Sequence, residues 1–220
     1  MVLTGIIVFS IIAYLSLKIK TISKLQSYLK HFEKKDLTHN DGIYIKDFVK
    51  KMIPHHQTAI DKSLLIYKFS DTPYIRYTAR RIILSQDYDV WTLWNFFHPL
   101  YYRYWYQHGS EDEFGELYNK MREQKISIQQ LEKDEMLRNI KVAYPTQLSL
   151  RKEEQEYVKW MIEHHLMALD MCKEFEKNIN STDADFEYVN SLLGICYSIK
   201  KEMELELLIL RDLIDPRYIS

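Results

Sequence analysis

Apolar residues recur every three or four positions along most of the chain, which is the spacing of one face of an amphipathic α-helix. On a helical wheel, one wide band collects the apolar and small residues of the first such stretch, namely Ile45, Phe48, Val49, Met52, Ile53, Ala59, Ile60, Ser63 and Tyr67. The pattern predicts a helix from about Asp41 to Phe69. Thr72 as a cap and Pro73 at the first helical position predict a partner helix that ends before Pro99.

The same arrangement occurs a second time. Asp47–Asp61 reads DFVKKMIPHHQTAID and Glu156–Asp170 reads EYVKWMIEHHLMALD. The first histidines of the two units lie 109 positions apart. The second unit predicts a helix from about Ser149 to Lys177, with a partner helix from about Asp183 to Leu213.

Two tandem helical hairpins close most simply into a four-helix bundle. We therefore predict an all-α fold with one hairpin at residues 41–98, a second at 148–215, and a helical insertion, 99–147, between them. Within the insertion, Leu100–Tyr106 (LYYRYWY) holds five aromatic rings in seven residues. Such density is typical of a protein interface or a membrane-surface girdle, with core packing as the alternative.

Residues 1–35 are predicted to form a membrane anchor that continues as an amphipathic stalk. Val2–Leu17 carries no charge, and Lys18 and Ile19 extend the apolar span towards the thickness of a bilayer. Basic residues follow this run and none precedes it, which favours an anchor over a cleaved signal peptide or a buried core helix. The positive-inside rule then predicts a single-pass protein bound to lipid through residues 2–19, with its body on the cytoplasmic or topologically equivalent side.

Composition narrows the functional classes. The 220 residues include only five Gly and five Pro, as long helices require, and the net charge of −1 provides no general attraction for nucleic acid. Two cysteines are too few for a disulfide scaffold. The chain contains no nucleophile–base constellation, Gly-rich phosphate loop or H-E-x-x-H motif, so we predict that it is not an enzyme.

The duplicated histidines are the candidate chemistry. Each repeat places one histidine at the centre of its inward band, a methionine one turn earlier on the same side, and another histidine on the flank. The central residues are Met52, His56, Met161 and His165, and the flank adds His55 and His164, with Met167 and Met171 continuing the line of the second repeat. Imidazoles and thioethers meeting at a common centre form a soft ligand set, which suits Cu(I) better than zinc.

The partner helices offer polar side chains that could orient the central histidines. These are Gln86 and Asp89 in the first hairpin and Glu202 in the second. The same side chains fit an alternative in which the histidines are neutral core residues satisfied by neighbours and the methionines fill space. Spacing alone leaves both interpretations open.

The stretch Phe48–Asp61 resembles the ferritin-like bacterial family of domain of unknown function 305. The hallmark of that family is F-x-x-x-M-I-x-H-H-x-x-A-I-x-M, followed by a helix with Q-x-x-E-I-x-x-M. Gln86 and Asp89 match the second helix, and the second repeat matches at Met161, Ile162, His164, His165, Ala168, Asp170 and Met171. The resemblance implies a ferritin-like four-helix bundle that binds copper through His and Met, without an established enzyme activity. Lys62 and Leu93 stand where the family has methionine.

Three functional hypotheses follow. The first is a membrane-anchored bundle that binds copper through the paired His and Met faces. The second is a structural protein that links a membrane to a protein layer through the Leu100–Tyr106 stretch, and a virion is one candidate assembly because the family also occurs in large DNA viruses. An enzyme with a di-metal centre ranks last, because the sequence offers few carboxylate ligands.

Overall fold

Helices are the regular secondary structure of the described part of the chain. The computed structural model describes residues 39–104, 114–138, 150–179 and 187–214. These ranges contain five helices and no strand: α1 (His39–Phe69), α2 (Pro73–Tyr104), α3 (Gly115–Arg138), α4 (Lys152–Ile179) and α5 (Glu187–Ile214). The predicted all-α class is confirmed, and the helices pack as a bundle.

The inward band read from the sequence of α1 is the face that the structure buries. Every residue of that band is buried, and the fully covered ones include Ile45, Val49, Met52 and Ile53. The α1–α2 turn forms where the capping signals predict it. The backbone N–H of Thr72 donates to Ser70 Oγ at 3.1 Å, and Arg76 N–H donates to the Thr72 carbonyl at 3.1 Å, which begins the first turn of α2.

Helix α4 runs antiparallel to α1. As residue numbers rise along α1 they fall along α4 in the contact pairs Phe48–Phe175, His55–His164 and Ser63–Tyr157. The buried hydroxyls of Ser63 and Tyr157 lie 2.8 Å apart, and burial raises the pKa of Tyr157. At the far end, the buried carboxylate of Glu154 accepts hydrogen bonds from Ser70 Oγ at 2.5 Å and Arg151 N–H at 2.9 Å, which ties α4 to the α1–α2 turn.

Helix α3 returns the chain to the end of the bundle from which α2 began. Helices α2 and α4 both run antiparallel to α1, so the connection between them must travel the length of the bundle. The 24 residues of α3 span about 36 Å at 1.5 Å per residue, which meets that need. Its antiparallel contacts with α2 are Arg80–Glu132, Asp87–Lys125 and Trp94–Tyr118.

The insertion is therefore built into the bundle rather than appended to it. Gln57 Nε2 on α1 donates to the Leu117 carbonyl at 3.1 Å, and Gln124 Nε2 donates to the Gln57 carbonyl at 2.8 Å and to Asp61 Oδ1 at 2.6 Å. Both glutamines are buried. These contacts fix α3 in the groove between α1 and α2.

The sequence predicted that α2 ends before Pro99, but the helix continues to Tyr104. A proline inside a helix removes one backbone hydrogen bond, and this cost is offset here by aromatic packing. Phe97 and Tyr101 contact Phe114 at ring-centroid distances of 5.0 and 4.7 Å, and Leu100 is buried beside them. Leu100 and Tyr101 thus belong to the core, whereas Tyr102 is exposed. The side chains of residues 103–106 lie outside the described residues.

Apart from His39, the first residue of α1, the five helices lie in one compact unit, Asn40–Ser220. Within the described residues, no helix is both long and apolar enough to cross a bilayer. The predicted anchor at residues 2–19 and the stalk to residue 35 lie outside the described residues.

Candidate functional site

His56 lies in the interior, at the centre of the inward face of α1 as predicted. Its side chain is fully buried, and Nε2 is 3.4 Å from Asp89 Oδ2 on α2. Neither His56 Nε2 nor Asp89 Oδ2 forms a hydrogen bond within the described residues. His56 Nδ1 also has no partner there. Gln86 is also fully buried, and neither the nitrogen nor the oxygen of its side-chain amide forms a hydrogen bond within the described residues. Buried polar groups without partners are costly and rare in native proteins, so this cluster needs a physical explanation.

His165 occupies the matching position in the second repeat. It is fully buried, and Nε2 is 2.7 Å from Glu206 Oε2 on α5. The other carboxylate oxygen of Glu206 accepts a hydrogen bond from Ser85 Oγ of α2 at 2.6 Å. His165 Nδ1 has no partner in the described residues. Each hairpin thus sets an imidazole of its first helix against a carboxylate of its second.

The carboxylate beside His165 is Glu206, not Glu202 as the sequence suggested. Glu202 is 42% exposed and pairs with Arg81 Nη2 at 3.3 Å, at the surface between α2 and α5. The signal that would have found Glu206 is its register on α5. It falls in the inward stripe Ile199, Met203, Glu206 and Leu210, all of which are buried.

The two flank histidines meet at the interface between α1 and α4. The rings of His55 and His164 stack with centroids 3.5 Å apart and planes 13° apart, and His164 Nε2 lies 3.0 Å from the His55 carbonyl oxygen. Trp160 covers the other face of His164 at 4.5 Å. Because His55 and His164 are equivalent residues of the two repeats, their contact marks the pseudo-two-fold axis that relates α1 to α4.

Burial keeps the flank imidazoles neutral. Burial, reinforced by the nearby His164, His56 and His165, lowers the pKa of His55 to about 2. Burial, with His165 and His56 as further causes, lowers the pKa of His164 to about 4. A neutral imidazole carries a free lone pair, and only that form can bind a metal ion.

The two central methionines are fully buried, but the antiparallel arrangement separates them. Met52 lies one turn towards the N-terminus of α1 from His56, and Met161 lies one turn towards the N-terminus of α4. With His55 and His164 at one level, six residue steps separate the methionines along the bundle, about 9 Å at 1.5 Å each. Side chains lean towards the N-terminus of their own helix, which parts the thioethers further. Each central histidine has the methionine of its own helix one turn away on the same helix face.

The remaining predicted ligands lie towards the surface. Met167 is 59% exposed, and Met171 is partly exposed in a pocket that Asp47 and Glu174 also line. Of the predicted line His164, Met167 and Met171, only His164 is buried. In the described part of the chain, no three or more His, Cys, Asp or Glu residues form a group that could hold a metal ion. A site here would depend on imidazole with thioether or a single carboxylate.

The described chain is thus an all-helical bundle in which two repeats bury matched pairs of histidine and carboxylate. It belongs to the family described as Domain of unknown function (DUF305), whose model matches residues 46–192. The matched range includes both histidine pairs and runs through α3, so the family likeness extends across the insertion. No curated protein and no solved structure matches the chain.

Proposed function

We propose that the protein is a non-enzymatic metal-binding bundle that holds a soft metal ion, copper, in its interior. His56 and His165 are the central ligands in this proposal, each supported by the methionine one turn earlier on its helix. The observation that carries the proposal is the set of buried polar atoms without partners in the described residues around His56, Gln86 and His165. A bound cation would satisfy lone pairs that otherwise cost the fold desolvation energy.

Ligand chemistry favours copper over zinc. Imidazole and thioether are the donors that Cu(I) accepts readily, whereas zinc prefers thiolate, imidazole and carboxylate in a four-ligand set. Because the two methionines lie on opposite sides of the histidine level, we propose two half-sites, Met52 with His56 and Met161 with His165. Asp89 and Glu206 would act as the groups that orient the rings.

The proposal extends to the architecture and location. Helices α1, α2, α4 and α5 would form a ferritin-like four-helix core, with α3 as its crossover connection. Residues 2–19 would anchor the protein in a membrane as a single-pass segment, with the bundle on the cytoplasmic or topologically equivalent side. A reducing compartment of that kind suits both Cu(I) and two free cysteines.

Titration of the full chain in detergent with Cu(I), against a competing chromogenic chelator, tests the proposal. We expect stoichiometric uptake by the wild type, and loss of one half-site each in His56→Leu and His165→Leu. His98→Leu is the control, because His98 is an exposed histidine on α2. Absence of stoichiometric uptake by the wild type, or equal uptake by all variants, would end the proposal.

A second candidate is a structural protein that links a membrane to a protein layer, with a virion as one such assembly. It is supported by the apolar groove between α1 and α4, where Leu65 is 57% and Phe69 61% exposed beside Trp160. The His165–Glu206–Ser85 hydrogen bonds also fit a purely structural role for one buried histidine. Finding the chain at fixed copy number in a purified assembly, without bound copper, would favour this role over the first.

A further inference from the structure

The two cysteines of the chain meet inside the bundle. Cys172 on α4 and Cys196 on α5 are both free and fully buried. The contacts His165–Glu206 and Glu176–Lys200 show that α4 and α5 run antiparallel. Cys172 follows His165 by seven residues and Cys196 precedes Glu206 by ten, so the two buried cysteines lie at nearly the same level of this helix interface. No step of the proposed histidine chemistry uses them. Two adjacent thiols in an apolar interior are a strong pair of soft donors.

The thiol pair is separate from the histidines but has an ion pair beside it. Cys172 lies seven residues after His165 on α4, about 10 Å along the helix at 1.5 Å per residue. One turn beyond each cysteine, Glu176 of α4 and Lys200 of α5 form a salt bridge. Glu176, with smaller contributions from the two cysteines, raises the pKa of Lys200.

We propose that Cys172 and Cys196 form a second soft-metal site, a two-coordinate bis-thiolate site for Cu(I). Thiolate donors select Cu(I) among the common cellular metals, and a closed-shell monovalent ion is satisfied by two sulfurs in line. Zinc would require two more ligands. The equivalent position to Cys172 in the first repeat is Ser63, which hydrogen-bonds to Tyr157, so the site exists in one hairpin only. It does not depend on the proposed histidine site.

Binding at this site changes no oxidation state. Two S–H bonds break, two Cu–S bonds form, and two protons leave to solvent while copper stays monovalent. The hydrogen bond to Cys172 and burial raise the pKa of the Cys196 thiol, so the ion itself must displace the protons. The bound site carries one negative charge, which the positive charge of Lys200 partly offsets.

The test uses the full chain, reduced and kept free of oxygen, titrated with Cu(I) against the same competing chelator. We expect a near-ultraviolet thiolate-to-copper absorption band that saturates at one ion per chain, with release of two protons per ion bound at the site. Cys172→Ala and Cys196→Ala should each abolish the band and remove one equivalent of copper. His56→Leu and His165→Leu should keep the band, so failure of the histidine site and failure of the thiol site are distinguishable.

Ser63→Ala is the matched control, because it shortens the equivalent side chain of the first repeat and leaves both cysteines in place. It should retain the full band. Circular dichroism checks that each variant keeps its helix content, and the wild-type band needs no variant at all. The proposal is overturned if the wild type shows no thiolate band, or if the band persists in both Cys172→Ala and Cys196→Ala.

Discussion

The rings of His55 and His164 stack face to face at 3.5 Å, and His164 Nε2 contacts the His55 carbonyl at 3.0 Å. The two residues are equivalent members of the repeats, so each repeat supplies half of a contact on the axis between them. Trp160 extends the stack on one side. Burial is the main cause that holds the pKa of both rings far below the usual range, and the neighbouring His56 and His165 lower it further.

This stack predicts a loss of stability in mild acid. The folded-state pKa of His164, about 4, lies below the unfolded value near 6.5, so between these values the unfolded chain binds more protons. The stability that is linked to the titration of His164 is therefore fully present above about pH 6.5, and it is lost as the pH falls towards 4. We expect the urea midpoint of the wild type to fall between pH 7 and pH 5. One fully linked proton accounts for at most about 1.4 kcal/mol per pH unit.

His164→Phe separates this effect from other titrations. Phenylalanine keeps an aromatic ring in the stack and cannot take up a proton, so the variant should lose part of the pH dependence over the same range. His98→Phe replaces an exposed histidine and should keep the wild-type dependence. An unchanged slope in His164→Phe would show that the stack is not the group that titrates.

The carboxylate of Glu206 supports a second prediction. This carboxylate is buried and accepts a hydrogen bond from Ser85 Oγ. It also accepts one from His165 Nε2, at 2.7 Å, when that nitrogen carries the proton. In Glu206→Gln the amide can accept only through its oxygen, so one buried partner is left unsatisfied. We expect a loss of about 1–3 kcal/mol in the free energy of unfolding.

Glu204→Gln is the control for that measurement. Glu204 is exposed on the same helix and pairs with Lys201 at 2.9 Å, an arrangement that contributes little to stability. Its urea midpoint should match the wild type. Equal midpoints for the two variants would mean that the His165–Glu206 contact does not stabilise the fold.

Local sequence patterns were sufficient to locate the helices but not to predict the way in which they pack. The period of apolar residues located the inward face of α1, and the capping signals at Thr72 and Pro73 located the start of α2. Pro99 was misleading because the helix around it is held by contacts of Phe97 and Tyr101 with Phe114, which no local pattern contains.

The same limit applies to the candidate site, where the sequence identified buried residues but not their positions relative to one another. Spacing identified His56 and His165 as interior residues, which their full burial confirms. It placed Met52 and Met161 at one centre, because a wheel describes each helix alone and carries no information on direction. Antiparallel packing sends the two side chains opposite ways along the bundle. The partner of His165 was missed by one turn for a related reason, since the register of α5 against α4 depends on packing.

The role of α3 gives a third prediction. Phe114, at the start of this helix, is buried against Phe97, Tyr101 and Trp94. Phe114→Ala should lower the free energy of unfolding by about 3–5 kcal/mol, because it leaves a cavity in an aromatic cluster. Unfolding should remain a single transition, since α3 belongs to the same cooperative core.

Ile126→Ala provides the comparison on the same helix. Ile126 is 67% exposed, so its removal should change the free energy of unfolding by less than about 0.5 kcal/mol. Tryptophan fluorescence follows both variants, because Trp94 lies beside Phe114. A separate early transition that involves α3 alone would contradict an integral insertion.

Copper binding to the histidine sites predicts a stability change that can be measured without a spectroscopic signal. A ligand that binds only the folded state stabilises it by about 2.7 kcal/mol when its free concentration is one hundred times Kd. In a Cys172→Ala background, which removes the thiol site, added Cu(I) should therefore raise the thermal midpoint, and a chelator should reverse the rise. His56→Leu combined with His165→Leu in that background should show no rise, because no imidazole remains at either half-site. A rise that persists in the triple variant would assign the copper to other residues and leave the central histidines as core packing.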